Sequence, residues 1–353
     1  MRAAVYHGPY DLRVEDVKEA SVQELDDAVV KTLVSSMCGS DLYLYGGEAP
    51  PLVVPGSTVL GHEITAEVVE VGSSVGRIKV GDRVTFPYSV SCGVCFSCRE
   101  GQTAHCETTG KAVYGFGPAF GDLVGSHAEY VRIPMADFNL DVIPEGIADD
   151  AGIFLSCNLP AAVIATDAAE IGPADTVAVL GCGPSGLLAV ELAALHNPRR
   201  ILAFDKLPYR LAAAEARGAT PVNVASDDVA AVVAEATAGR GVDKVIEFVG
   251  RGDAFAMAIS IARPGAIISG GGVFLEQDYP VSLYEMYLKN LQIRLNGFAN
   301  AKMGQWRATK LLLAGKVDPT RLLSHSVSLE EFPAAAVAFG HRDEGVFKLA
   351  IRP

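Results

Sequence analysis

Residues 176–186 read Thr-Val-Ala-Val-Leu-Gly-Cys-Gly-Pro-Ser-Gly, an apolar run stopped by a turn with glycines at Gly181, Gly183 and Gly186. The run predicts a buried strand, and the stretch that follows, G-L-L-A-V-E-L-A-A-L, predicts a helix lying on it. In such a strand–turn–helix the first glycine allows the tight turn. The second lets the backbone approach a pyrophosphate, and the third lets the helix pack on the strand. The helix start, with Pro184 and Ser185 in it, offers free N–H groups to phosphates. The next strand, R-I-L-A-F-D, ends at Asp205, about 20 residues on. Its carboxylate there can accept from both ribose hydroxyls of adenosine and repels a 2′-phosphate, which predicts NAD over NADP. Lys206 and Arg210 follow as neighbouring cofactor contacts.

Outward from this turn the same rhythm continues. Apolar runs alternate with Ala/Leu-rich stretches through 242–249 and 266–272, the pattern of a doubly wound α/β parallel sheet with helices on both faces. Before residue 145 the texture is different: short alternating runs at 28–34, 64–71 and 83–86 are separated by Gly, Pro and Asp, which predicts a strand-rich region. After about residue 300 comes a helix over 304–313 and a mixed tail. The 353 residues therefore predict two domains.

Lys plus Arg number 29 and Asp plus Glu 42, a net charge of −13. This acidic balance argues against nucleic acid and anionic membrane as partners. No apolar stretch approaches a membrane span, and the opening residues lack the apolar core of a signal peptide. Seven cysteines that read as reduced ligands fit a reducing cytoplasm.

Four of those cysteines stand together. Cys92, Cys95, Cys98 and Cys106 fall in the run C-G-V-C-F-S-C-R-E-G-Q-T-A-H-C. Two-residue gaps let neighbouring thiolates turn inward on one loop, and four complete the tetrahedron that zinc favours. Such a closed site is structural. Disulfides fit a reducing compartment poorly, and the spacing before Cys106 is not that of an iron–sulfur run. Three cysteines remain. Cys182 lies inside the glycine turn, where a small apolar group packs. Cys38, in M-C-G-S-D, and Cys157, in F-L-S-C-N-L-P, are thiols that spacing alone does not join to each other or to His62 in L-G-H-E.

Taken in order, C-G-S-D at 38–41, G-H-E at 61–63, V-V-E-V-G at 68–72, V-G-D-R-V at 80–84, the four-cysteine lobe, A-E-Y-V at 128–131 and G-C-G-P-S-G at 181–186 resemble the zinc-dependent medium-chain dehydrogenase/reductases, the alcohol dehydrogenase superfamily. The match runs across nearly the whole chain. The frame around Cys157 is similar to the formaldehyde dehydrogenase-like bacterial branch, with Cys157 where that branch commonly has Asp and Ala161 where it has Thr. The resemblance implies a GroES-like β-rich catalytic domain over 1–147 and 300–353, with a structural zinc lobe at about 88–110. It implies a Rossmann NAD-binding domain over 148–299.

It further implies two zinc ions per chain. Cys38, His62 and Cys157 would hold the catalytic one, with a fourth position open to substrate. Asp41 would orient His62, Glu63 would stand near the metal, and Ser40 would receive the substrate's proton. Many members carry a relay histidine where this chain has Tyr43, which leaves room for a divergent chemistry on the same fold: aldehyde dismutation, C=C reduction or a non-redox step with bound cofactor. Asp243 and Glu247 would flank the fourth Rossmann strand, with Val249 and Gly250 at the adenosine side. Lys348 would approach the pyrophosphate. Residues 270–273, with Gly272, and 296–297 would lie near the nicotinamide carboxamide. Pocket walls would come from 43–51, 86–88, 114–120 and 284–295. The implied activity is hydride transfer between NAD(H) and a primary or secondary alcohol or its aldehyde or ketone, in a homodimer or homotetramer.

Overall fold

The computed structural model describes residues 1–48 and 52–353; the expected pocket wall at 43–51 thus lies partly outside the described residues. The chain divides into two compact units, Met1–Pro160 with Asn300–Pro353, and Ala161–Ala299.

In Ala161–Ala299 six parallel strands run in the order Thr220–Asn223, Arg200–Asp205, Thr176–Leu180, Val242–Glu247, Ala262–Gly270, Gln292–Leu295. The strand read first, Thr176–Leu180, is central, and the order grows outward from it to both sides. Its five residues are all buried, as a strand covered on both faces requires. Helices Pro184–Ala194, Pro208–Glu215, Val229–Thr237 and Gly252–Ile261 alternate with the strands. The first two of these open on Pro, whose fixed φ suits a helix start. The core joins Leu180, Leu202, Phe204, Val222, Val245, Ile259 and Ile268.

The other unit begins with the hairpin Arg2–Gly8/Asp11–Asp16. Its main sheet runs His325–Ser328, Leu349–Arg352, Ala28–Ser36, Glu63–Val71, Arg83–Thr85, Asp141–Val142, with Tyr130–Ile133 also paired to Ala28–Ser36. Only the first pair is parallel. The apolar alternation of 28–34 and 64–71 thus becomes one antiparallel pair, with Val30, Ile64, Ala66, Val68 and Val84 on the buried face. Residues 148–160 pack with this sheet: the Thr65 hydroxyl donates to Asp149 O (2.8 Å) and Ile64 N–H donates to Ser156 Oγ (3.1 Å). Helix Ala301–Leu313 is tied to the same unit. Gln305 donates to Leu155 O (3.1 Å), and Ala104 N–H donates to Asn300 Oδ1 (3.0 Å). Among the described residues no single helix is long and apolar enough to cross a membrane.

Candidate metal centre and nucleotide turn

Among the described residues, two groups of ligand-type side chains converge, each with its ligand atoms within 4.8 Å of one another. The first is Cys92, Cys95, Cys98 and Cys106. Two sulfurs bound at about 2.3 Å to a tetrahedral zinc stand about 3.8 Å apart; Cys95 and Cys106 stand 3.9 Å apart. The loop prepares its sulfurs for charge. Cys92 Sγ accepts from Cys95 N–H (3.3 Å), Val94 N–H (3.5 Å) and the Thr108 hydroxyl (3.2 Å), and Cys106 Sγ accepts from Cys92 N–H (3.3 Å). Burial would push the Cys92 thiol up, but these donors, Thr108 first, outweigh it and bring it to about 6.

The second group is Cys38, His62, Glu63 and Cys157. Cys38 lies in the loop after strand Ala28–Ser36. His62 and Glu63 lead into its partner strand Glu63–Val71, and Cys157 precedes helix Asn158–Ala169. Antiparallel pairing of Ser36 with Glu63 brings the first two elements together. Cys38 and Cys157 Sγ are 3.9 Å apart, again the edge of a zinc tetrahedron. The hydrogen bond between the two sulfurs holds the Cys38 thiol well below its ordinary value and, with burial, pushes Cys157 well above. The donor set of two sulfurs and an imidazole therefore fits zinc.

Around these ligands the surroundings are buried and polar. Asp41 is fully buried. Its Oδ2 accepts from Cys38 N–H (2.8 Å), and its Oδ1 lies 3.2 Å from His62 Nδ1, a charge contact short of hydrogen-bond alignment. Nδ1 is thereby turned to Asp41, and Nε2 is left for the metal. Asn158, which the sequence reading passed over, donates its amide to Cys38 Sγ (3.8 Å). Its only sequence signal is its place directly after Cys157. Tyr88 and Phe116 meet the His62 ring edge-on at 6.0 and 5.7 Å, and Phe120 meets Phe116 at 6.0 Å. Ser40 precedes the short helix Asp41–Tyr45 and makes no capping bond; Tyr43 lies within that helix.

Lys348 lies in the interior of its unit. It is fully buried, with its ammonium on the Glu63 carboxylate and on Met37 O (3.1 Å). The strand Leu349–Arg352 that follows it is a core strand, and the lysine enters the interior with it. Burial alone would lower the ammonium's pKa, yet the charges of Glu63 and Cys38 keep it above its ordinary value.

In the nucleotide-type unit the turn has the expected shape. Gly181 has φ +87°, and a Cβ on Gly186 would lie 1.8 Å from Gly181 O, so no other residue fits the third position. Asp205 closes over the turn: its Oδ2 accepts from Cys182 N–H (2.8 Å), and its Oδ1 accepts from Lys206 and Leu207 N–H (2.8 and 2.9 Å). Arg210 reaches Gly183, where a Cβ would lie 3.8 Å from its Nη1, and Lys206 is exposed. Val249 borders Gly181. The fully buried Glu247 stitches the far end of this surface. Its Oε1 accepts from Val249 and Gly250 N–H (2.6 and 2.8 Å), and its main-chain O accepts from Gly271 and Gly272 N–H (2.7 and 2.9 Å). Asp243 lies at the opposite end of that strand, paired with Arg263 at 2.6 Å and accepting from Thr176 N–H.

Comparison with known proteins agrees with both halves. Residues 24–143 match the alcohol dehydrogenase GroES-like domain, and residues 184–313 match the zinc-binding dehydrogenase domain. The chain is 38% identical over 305 residues to the zinc-type alcohol dehydrogenase B of Aspergillus flavus, covering 84% of this chain and 68% of that protein. Among solved structures it is similar to the alcohol dehydrogenase TADH from Thermus sp. ATN1 (TM-score 0.93, 35% identity, 100% and 99% of the two chains). It is also similar to the short chain alcohol dehydrogenase (rspB) from E. coli CFT073 complexed with NADH (TM-score 0.87, 26% identity, 100% and 99%). With a GroES-like half that gathers zinc-type ligands and a Rossmann half that carries the dinucleotide turn, the chain belongs to the zinc-dependent medium-chain dehydrogenase/reductase superfamily and is an oxidoreductase of the alcohol dehydrogenase type.

Proposed function

We propose that this protein carries two zinc ions per chain and uses NAD to interconvert an apolar primary or secondary alcohol with its aldehyde or ketone. The observation that carries the reading is the convergence of Cys38, His62 and Cys157, with the sulfurs at 3.9 Å. When bound, zinc supplies a Lewis acid for the substrate oxygen and NAD supplies the hydride acceptor.

The chain's own residues do the rest. Cys38, Cys157 and His62 Nε2 hold the ion. Asp41 keeps the proton on Nδ1 and so keeps the Nε2 lone pair facing inward. The Asn158 amide stabilises the Cys38 thiolate. Ser40 stands ready to accept the substrate's proton, with Tyr43 three residues on and Glu63 beside the ligands. Cys92, Cys95, Cys98 and Cys106 hold the second ion in their loop. Gly181, Gly183, Pro184, Ser185 and Gly186 receive the pyrophosphate, and Asp205 the adenosine ribose, which favours NAD.

The rings of Tyr88, Phe116 and Phe120 beside His62 favour an aromatic or branched apolar substrate over a polyol. Strand Gln292–Leu295 ends its sheet with one edge unpaired, and Leu283, Tyr284, Tyr287, Leu288 and Leu295 are exposed near it in sequence. These features support a homodimer or homotetramer. The direct test supplies NAD or NADP with a panel of benzylic, branched and polyhydroxy alcohols and follows reduced nicotinamide. The reading expects NADH from the apolar alcohols, ahead of NADPH. No reduced cofactor with any alcohol, together with no oxidation of NADH by the matching aldehydes and ketones, rejects it.

A further inference from the structure

The turn that carries His62 and Glu63 is gripped by residues 125–127. Gly125 N–H donates to Val59 O (3.0 Å), Ser126 N–H to Gly61 O (2.9 Å) and His127 N–H to Leu60 O (3.2 Å). The Ser126 hydroxyl donates to Glu63 O (3.2 Å). Gly61, the residue before His62, has φ +99°, and a Cβ on it would lie 2.6 Å from both Cε1 and Nδ1 of His127. The Gly115 backbone closes on the same residue, since a Cβ there would lie 2.7 Å from Gly61 N. Gly61 is thus held in a left-handed conformation by what surrounds it, and the His127 ring is its nearest side-chain neighbour.

His127 is itself fixed. It is fully buried, its Nδ1 hydrogen-bonds with Ser35 Oγ at 2.8 Å, and Ser35 Oγ lies 3.1 Å from Ser126 Oγ. The ring stands edge-on to Phe332 at 4.7 Å. Burial brings the imidazole down to about 4, so it is neutral and adds no charge beside the ligands. Among the described residues its Nε2 is buried without a partner. An unpaired buried nitrogen costs free energy that a purely apolar ring would not. The hydrogen bond to Ser35 fixes the ring's tilt against Gly61.

We infer that His127 is a positioning residue for the catalytic metal: its ring, oriented by Ser35 and Ser126, sets the backbone of Gly61 and so aims His62 Nε2 at Cys38 and Cys157. The inference rests on the reading of those three residues as zinc ligands. Groups that orient a ligand without touching the metal typically change its affinity by about 10- to 100-fold when removed.

The test measures zinc affinity by chelator competition in the full-length protein and records visible spectra after cobalt replaces zinc. Three variants are compared: His127→Ala, His127→Phe and Leu329→Ala. The last loosens the core cluster that contains Phe332 without changing the ring against Gly61. His127→Ala is expected to weaken one of the two zinc sites by about 10- to 100-fold, to alter the cobalt bands and to leave the four-cysteine zinc in place. His127→Phe, which keeps the ring volume but not the bond to Ser35, should recover only part of that loss, and Leu329→Ala should bind both ions as the parent does. A His127→Ala protein with parental zinc affinity and unchanged cobalt bands overturns the inference. So does a Leu329→Ala protein that loses zinc as readily as His127→Ala. A parent with a single zinc would remove the ligand reading itself, and this inference with it; a parent with two and an unaffected His127→Ala removes the inference alone.

Discussion

The Lys348 ammonium and the Glu63 carboxylate form an ion pair in which both side chains are fully buried, directly beside the sulfurs of Cys38 and Cys157. Breaking such a pair from one side leaves an uncompensated charge in the interior. Lys348→Met and Glu63→Gln are each expected to lower stability by about 3–5 kcal/mol. The double variant should lose less than the sum, because neither charge is then left alone. Denaturant unfolding of the four proteins checks this, and additive losses would show that the two groups do not act as a pair.

Glu247 gives a prediction in pH. Burial raises its carboxyl from 4.5 to about 7, despite the donors Gly250 and Val249. A carboxyl raised in the folded state holds its proton longer there than in the unfolded chain. Its contribution to stability is complete below about pH 4.5 and is lost as pH rises toward 7. The loss is on the order of 3 kcal/mol. Glu247→Gln keeps an oxygen for the two N–H groups and removes the titration. Relative to the parent, the variant should gain stability between about pH 5 and pH 8. A parent-to-variant difference that is flat with pH, measured by unfolding at both values, would contradict the assignment.

Asp205 is expected to set cofactor choice. Asp205→Ser removes both the acceptor for the ribose hydroxyls and the charge that repels a 2′-phosphate. KM for NAD should rise about 10- to 100-fold, the worth of a hydrogen bond to a charged group, while NADP becomes usable. Steady-state kinetics with both cofactors measure it, and an unchanged NAD-to-NADP ratio would exclude the role. Part of the NAD loss will come from the turn itself, because Asp205 also accepts from Cys182 N–H.

Much of this was legible in the sequence because its signals are local. Gly186 and Gly181 are separated by one turn, so their spacing already encodes the close approach that leaves a Cβ on Gly186 only 1.8 Å from Gly181 O. The four cysteines of the lobe lie within one loop, and their spacing encodes their convergence. Cys38 and Cys157 are different. They meet through sheet pairing and helix packing far apart in the chain, which no spacing carries, and the family resemblance joined them. The burial of Lys348 is not legible in F-K-L-A-I; only the fold shows its side chain entering the core beside Glu63. His127 carried no signal, and Asn158 only its place directly after Cys157. Each acts through a contact with a residue distant in sequence, Gly61 and Cys38 respectively.

Metal analysis of the purified protein beside a Cys157→Ala variant tests the central claim most directly. The account predicts two zinc ions per chain in the parent, one in the variant, and loss of alcohol-dependent NADH formation with the missing ion. A parent that holds one zinc, or a Cys157→Ala protein that holds two and keeps its activity, would contradict it.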